Sequence, residues 1–514
     1  MERPSYNIHR IFTYIILTAA TAILGLLSVC SLIWQPAVYQ DARERMHFDR
    51  TSVLFFLLAV VFAILLFRFR RKAAELSQKK LFFILSVIYI IAAVYLIFGV
   101  DSLQRGDPGM VLQYALTFNK GDYSGLLPGK YVNIYPIQLG FITYERILAV
   151  ISENPRFFFF VNLAFVLVIN YLTWQITDLL SENNRTADNL SILFSFAFLP
   201  QFFYILWLYG QIPGLCFTML SYWFLIRGIR NRQVSSWIGM CMCMSVSCLL
   251  KPNYKIAAIA AGIVCLLELL KNSRKKLLLV ILLLIVSVVG SEKLLNVCYR
   301  QASGIRFGEG SPMILHITMG LQDNTLGRTG GWYNGYTFDT YVNSGSDSAK
   351  AALIGKKDLD QRLQYFSTHP AYTVRFFGKK IVSTWCDPTF QSIWCGPLED
   401  CGQYTHTFVL QSIYTAGVAY VILKLCMHAV TLFLFLLAAV YPFLRKKAVR
   451  TIPEPAALFP LLYLIGGFLF HLVSETKSEY VYMYVFLLIP LASMSLTMLD
   501  INAVKEKLSI GKRR

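Results

Sequence analysis

The chain has 514 residues, of which 56% are hydrophobic and only 15% charged, whereas about a quarter of a soluble enzyme is charged. This composition excludes an ordinary soluble protein and implies a polytopic membrane protein, whose spans must be helical because lipid offers backbone groups no other partner. The net charge of +19 does not point to nucleic acid, because Lys and Arg gather between apolar runs instead of covering one domain.

The first apolar run, 11–34, follows a basic start. It is too long for a signal peptide and has no small-residue cleavage site, so it reads as an uncleaved helix. Leu27 to Cys30 resembles a lipoprotein box only loosely, with Val29 where a small residue belongs. Further runs of spanning length follow at 51–67, 81–100, 157–176, 190–207, 210–226, 234–250, 254–270, 277–295, 414–443, 456–473 and 480–499. The expected fold is therefore an all-α polytopic membrane protein of about 12 transmembrane helices. With both ends cytoplasmic, the inner segments 1–10, 68–80, 177–189, 227–233, 271–276, 444–455 and 500–514 hold 25 of the 48 Lys and Arg. That is the positive-inside bias.

The segment 135–152, YPIQLGFITYERILAVIS, is nearly apolar enough to be another crossing. A crossing there would turn the basic clusters RGIRNR, KNSRKK and LRKKAVR outward. It is therefore read as a short helix in the outer interface or dipping into it, with Glu145 and Arg146 facing protein or headgroups. The alternative is a true crossing with reversed topology.

Four regions result: 1–80, a membrane unit built on an N-terminal helical pair; 81–295, a membrane core with an outer loop at 101–156; 296–407, an extracytoplasmic α-rich region; and 408–514, the last transmembrane helices. Within 296–407, a turn-rich beginning leads into DLDQRLQYFSTHPAYTVRFFGKKIVSTW, which reads as two helices broken at Pro370. Of eleven cysteines, Cys298, Cys386, Cys395 and Cys401 fall outside, where three full pairings are open. None has zinc spacing with histidine.

Asp107 sits where an apolar run has just surfaced, ahead of the amphipathic VLQYALTFNKGDYSGLL, then Tyr131, Tyr135-Pro136 and a short apolar helix. This order resembles the C-type glycosyltransferase superfamily, which includes protein O-mannosyltransferases and the aminoarabinose transferases that modify lipid A. In that family the first long outer loop carries an acid, interfacial helices and a Tyr-Pro or Pro-Pro step; here Asp107, Tyr131 and YPIQLG, 135–140, match. LYGQIPGLCF, 208–217, resembles the family's acidic helix junction with Gln211 in the acid's place. LLKPN, 249–253, resembles its Thr-Lys-Gly-Pro step at Lys251 and Pro252. PMILHITMGL, 312–321, and ETKSEYVYMYVFLLIPLA, 475–492, resemble an element of the large outer loop and the entry to the final helix.

The resemblance spans about 100 to 492 and departs from the family pattern twice. The acidic loop follows the third helix instead of the first, which leaves Asp41 in WQPAVYQDARERMHFDR as a rival acid in a shorter loop. Glu479 stands where an arginine is common, which weakens a phosphate clamp at that turn.

The resemblance implies a polyprenyl-phosphate sugar as donor, a cell-envelope glycan, lipid or protein as acceptor, and an inverting single displacement at the outer face of the plasma membrane. Such donors hold their phosphates at headgroup depth, so the base must lie there too. Asp107 would take the acceptor hydroxyl's proton. Tyr131, Tyr135, Gln138, Lys251, His316, Glu475, Lys477 and Tyr480 would bind substrate, and Lys251, Lys477 and Arg306 could offset charge on the leaving phosphate. No cofactor or metal ligand is assigned, and a metal requirement is left open. Membrane lipids are the remaining partner.

Each residue has a plainer reading. Asp107 precedes Pro108 and could be an N-cap; Asp101 a solvated helix-end acid; Lys251 and Lys477 snorkelling cations; Glu475 a cap; His316 a hydrogen-bonded structural residue. Trp332, Tyr333 and Tyr336 suit sugar stacking or a headgroup belt. A transporter or flippase of a lipid-linked glycan is the other functional class. It would call for paired broken helices in repeated halves and polar residues near the midplane.

Overall fold

The computed structural model describes residues 4–324, 326–449 and 452–499. The basic tail 500–514 and Arg450 of the cluster LRKKAVR lie outside the described residues. Among the described residues, nine helices are long and apolar enough to cross a membrane, from Tyr6–Ile33 to Pro455–Val473. The other three expected spans fall on a helix pair, Arg185–Ala197 with Leu199–Leu206, bent by 49°, and on two shorter apolar helices, Val234–Leu250 and Tyr482–Met498. Val53–Arg70 is the least buried of the nine at 6%, as expected of a helix whose apolar side chains face lipid instead of other helices.

The bundle has two distinct ends. At one, Asn189 Nδ2 donates to Ala73 O at 2.6 Å, Arg70 Nη1 to Leu496 O at 2.9 Å and Arg274 Nη1 to Ile229 O at 2.9 Å. Arg230 meets Glu454 at 3.5 Å on the same side. At the other end, Trp394 Nε1 donates to Asp41 O at 2.9 Å, Tyr404 N to Asp101 Oδ2 at 2.8 Å and Ser311 N to Ile134 O at 2.9 Å. The segments expected on opposite faces thus meet their neighbours at opposite ends.

The segment 135–152 contributes only Leu139–Ala149 as regular helix, 11 residues long. At 1.5 Å per residue this is about 16 Å, roughly half a hydrocarbon core, so it does not span by itself. Glu145 faces protein and is buried with both carboxylate oxygens unpartnered, and burial drives its pKa well up. Arg146 bonds Asn119 Oδ1 at 2.9 Å and Tyr299 Oη at 3.2 Å.

Two expectations need correction, the end of the helix at 277–295 and the place of Trp332. The fold is all-α as expected apart from one short addition: residues 34–50 form a hairpin in which Trp34–Val38 pairs antiparallel with Met46–Arg50, a pairing that a short connection permits. The helix expected to stop at 295 runs to Ser303 and ends on Gly304 at φ 69°, a left-handed stop that glycine adopts without a Cβ clash. The cysteine pairings left open by the sequence are not formed: all eleven cysteines are free thiols, and Cys386 neighbours Cys30 of the first helix. Trp332 is wholly buried, in a protein core and not in a headgroup belt. The break at Pro370 is present, between Ser348–Thr368 and Pro370–Trp385.

A labelling experiment tests the separation of the ends. With exposed Cys298 and Cys401 replaced by Ser, Asn231→Cys and Glu309→Cys should react with a membrane-impermeant maleimide from opposite sides of sealed vesicles. Reaction of both from one side would contradict the two-ended arrangement.

Candidate active site

Asp107 lies in the first turn of the helix Gly106–Asn119, whose start is fixed by its neighbours. Gln104 donates to Leu206 O at 3.1 Å and accepts from Leu208 N at 3.2 Å. The Arg105 guanidinium sits over the Trp207 and Trp394 rings, 5.4 and 4.4 Å from their centroids, and donates to Trp394 O. Gly106 then turns the chain at φ 59°, where a side chain would add strain. These contacts bring the 206–209 segment alongside the helix start, and Tyr209 Oη donates to Asp107 Oδ2 at 3.0 Å.

Arg105 occupies the N-cap position and no side chain caps this helix, so Asp107 is not its cap. The carboxylate retains accessible surface, yet protein lies around it closely enough that burial raises its pKa above the ordinary value, against the opposing pull of Lys477 and the Tyr209 hydrogen bond. It is thus a more basic carboxylate that solvent still reaches.

Residues distant in sequence surround it. Gln138 Nε2 donates to Tyr209 Oη at 2.8 Å, and the Tyr131 hydroxyl neighbours both Tyr209 and Asp107. Lys251 Nζ lies 4.4 Å from the Tyr209 ring centroid and 5.4 Å from that of Tyr480. Burial pulls its pKa down to about 8 against the acids Glu479 and Asp107. Tyr480 Oη donates to Glu475 Oε1 at 3.4 Å, and His316 Nδ1 lies 3.9 Å from Glu475 Oε2. The rings of Tyr135 and His316 are 6.3 Å apart. Burial tends to raise the Glu475 pKa, but the neighbouring His316 and Lys477 outweigh it and leave the value below the ordinary one. Two carboxylates in one site are thereby driven apart in basicity, which suits one to accept a proton and the other to remain charged.

The turn 474–480 is held against the large loop by backbone contacts. Glu475 N donates to His316 O at 2.9 Å and Thr476 N to Gly331 O at 3.0 Å. The buried Lys380 ammonium donates to Ser474 O at 2.8 Å and also to Gly320 O. A Cβ on Gly320 would stand 2.1 Å from the Ser474 carbonyl carbon, so only glycine permits this approach.

Several contributors were not anticipated. Glu44, from the N-terminal hairpin, is buried and bonds Lys477 Nζ at 2.7 Å, Arg328 Nη2 at 3.0 Å and Gln391 Nε2 at 3.2 Å. Its φ of 56° is a left-handed conformation costing about 1–2 kcal/mol in a non-glycine residue, retained where its contacts require it. Although burial alone lowers an ammonium's pKa, Glu44 and Glu479 raise that of Lys477. The buried loop 386–398 lines the same region: Gln391 Oε1 accepts from Glu479 N at 3.3 Å, and Asp387 Oδ2 accepts from Ser478 Oγ at 2.7 Å. Within LYGQIPGLCF the contributor is Tyr209; Gln211, which holds the acid's place in the motif, is buried and outside these contacts.

Other candidates lie elsewhere. Asp41 pairs with Arg45 at 2.6 Å on the hairpin, and Asp101 with His406 at 3.1 Å. Arg306 is exposed and lines a recess with Arg300 and Phe307 just past the helix end at Gly304. Tyr333 borders Asp107 and Glu475, whereas Tyr336 is engaged by Asp358 at 2.7 Å.

No protein-family model matches the chain. A comparison with curated proteins gives no match.

Two stability measurements test this geometry. Glu44→Ala strands two partly buried cations and should destabilise the fold by about 3 kcal/mol, read as a lower thermal midpoint, with Glu44→Gln milder; an unchanged midpoint would contradict the network. Because the Asp107 pKa is raised on folding, ionisation costs stability as pH rises from the ordinary carboxylate value through the raised one. Asp107→Asn should therefore gain more thermal stability over wild type at pH 7 than at pH 4.

Proposed function

We propose that this protein is an integral-membrane glycosyltransferase of the C-type superfamily. It transfers a sugar from a polyprenyl-phosphate donor to an acceptor hydroxyl on a cell-envelope glycan, lipid or protein, at the extracytoplasmic face of the plasma membrane. In this reading the chain crosses twelve times, and the end bearing Asp107 faces outward. The observation that carries it is a solvent-reached carboxylate of raised basicity, held by Tyr209 at the start of a non-spanning helix.

Asp107 serves as general base. It accepts the acceptor hydroxyl's proton as that oxygen attacks the anomeric carbon, and the bond to the carrier phosphate breaks on the opposite face, with inversion. A base whose pKa lies closer to the working pH than a free carboxylate's transfers protons more effectively. Lys251 and Lys477 face the same region and offset the phosphate's growing charge. Glu44 shares the charge of Lys477 and aims its ammonium. Tyr131, Tyr135 and Tyr480 offer hydroxyls and ring faces to a sugar, with Gln138 fixing the Tyr209 hydroxyl. Glu475, kept ionised, holds Tyr480 and His316.

One feature favours a flippase for a lipid-linked glycan: the 49° break between Arg185–Ala197 and Leu199–Leu206, beside the buried pair Gln201 and Asn170 at 3.1 Å. Among the described residues this is a single break, whereas the transporter design places one in each of two repeats.

Membranes incubated with a panel of radiolabelled polyprenyl-phosphate sugars separate the readings. Wild type should transfer label from one donor to an acceptor, and Asp107→Asn, folded by its thermal transition, should lose about 10²–10⁴-fold of the rate. Full activity in the variant would remove Asp107 from the role. Movement of intact labelled lipid across sealed vesicles without transfer would favour the flippase.

A further inference from the structure

We infer that the recess lined by Arg300, Arg306 and Phe307, at the Asp107 end of the helix Leu277–Ser303, binds the phosphate of an anionic membrane lipid. The recess is an open concavity of about 460 Å³, completed by Val297, Gln301 and Gly304. That volume lies within the range of small-ligand sites.

Both guanidiniums are exposed, and neither forms an ion pair with any described carboxylate. The Arg300 guanidinium stands 5.1 Å from the Phe307 ring centroid, so its position is defined by more than solvent. As a last-turn residue, Arg300 also complements the helix's negative end. That explanation does not extend to Arg306, which lies beyond the helix and the Gly304 turn. Two unpaired forks around one concavity present the donor geometry that phosphate oxygens accept.

The setting selects a lipid over a soluble phosphate. The preceding turns of the same helix expose Val297 at 44%, on the side that carries Leu282, Ile285, Val286 and Val289, with the exposed Lys293 between them. This helix qualifies as a span, and only 22% of its apolar window is buried. A chain lying along this face would carry its phosphate up to the recess. Phe307 itself is buried against the cluster that includes Val111, Leu126, Val132 and Leu139. Occupation of the recess would therefore brace the loop that leads to His316. The inference stands apart from the proposed transfer and is read without it.

The full-length protein in detergent is titrated with dihexanoyl phosphatidylglycerol, dihexanoyl phosphatidylcholine and glycerol 3-phosphate, and bound ligand is counted by native mass spectrometry. Wild type should hold one phosphatidylglycerol in preference to phosphatidylcholine, with glycerol 3-phosphate binding far more weakly. Arg300→Gln with Arg306→Gln should weaken phosphatidylglycerol binding about tenfold or more. Lys293→Gln, an exposed cation on the same helix, should leave it unchanged, and Arg300→Lys with Arg306→Lys should restore part of it. Equal binding of the two lipids, wild-type binding in the double Gln variant, an equal loss in Lys293→Gln, or tight binding of glycerol 3-phosphate alone would each overturn the inference.

Discussion

A carboxylate that protein crowds while solvent still reaches it loses part of its hydration, and pairing or hydrogen bonding must make up for that loss if it is to stay charged. Asp107 meets this constraint through one direct bond from Tyr209 and the field of Lys477, which together only partly oppose the effect of burial. Its contacts follow from that balance. Gln138 orients the tyrosine, Arg105 and Gln104 hold the two segments in register, and Gly106 supplies the turn that delivers the acid.

The cations around it are governed in the same way. Lys477 stays charged because Glu44 reaches it from the N-terminal hairpin, and Glu44 in turn holds Arg328 of the large loop. Lys251 pairs with no carboxylate among the described residues; it donates to Tyr209 O at 3.5 Å and rests against two tyrosine rings, so its charge is the more weakly held. The site is thus assembled from five separated parts of the chain: the hairpin, the 104–138 segment, the 209–251 region, the large loop and the final turn. The N-terminal hairpin, although it lies outside the family-like stretch, supplies a structural counter-charge.

Hydropathy made the spans legible, since a run of about 20 apolar residues has few other uses. The break at Pro370 was equally legible, because proline cannot continue a helix's hydrogen bonds. The grouping of Tyr131, Lys251, His316, Glu475 and Lys477 was suggested by the order of short motifs and not by any spacing between them. Glu44 could not be read this way: within DARER it looks like a solvated charged loop, and only the fold turns it inward. The loop 386–398 has Asp-Pro and Gly-Pro steps that suggest surface turns, yet it is buried because its polar groups bond Glu479, Ser478 and Glu44. Trp332 shows the converse: an aromatic near a membrane end reads as a headgroup anchor, but tertiary packing places it in a core. Cysteine sidedness alone could not determine pairing, which requires the two Cβ positions to meet.

In the proposed reaction Asp107 is the proton acceptor and Tyr209 tunes its basicity. The most direct measurement is the transfer rate as a function of pH under single-turnover conditions, in wild type and in Tyr209→Phe. Loss of the tyrosine's hydrogen bond removes a contribution that lowers the Asp107 pKa, so the acid limb should lie above the ordinary carboxylate range in wild type and move to still higher pH in the variant. An acid limb that stays in place when Tyr209 is replaced would contradict the account.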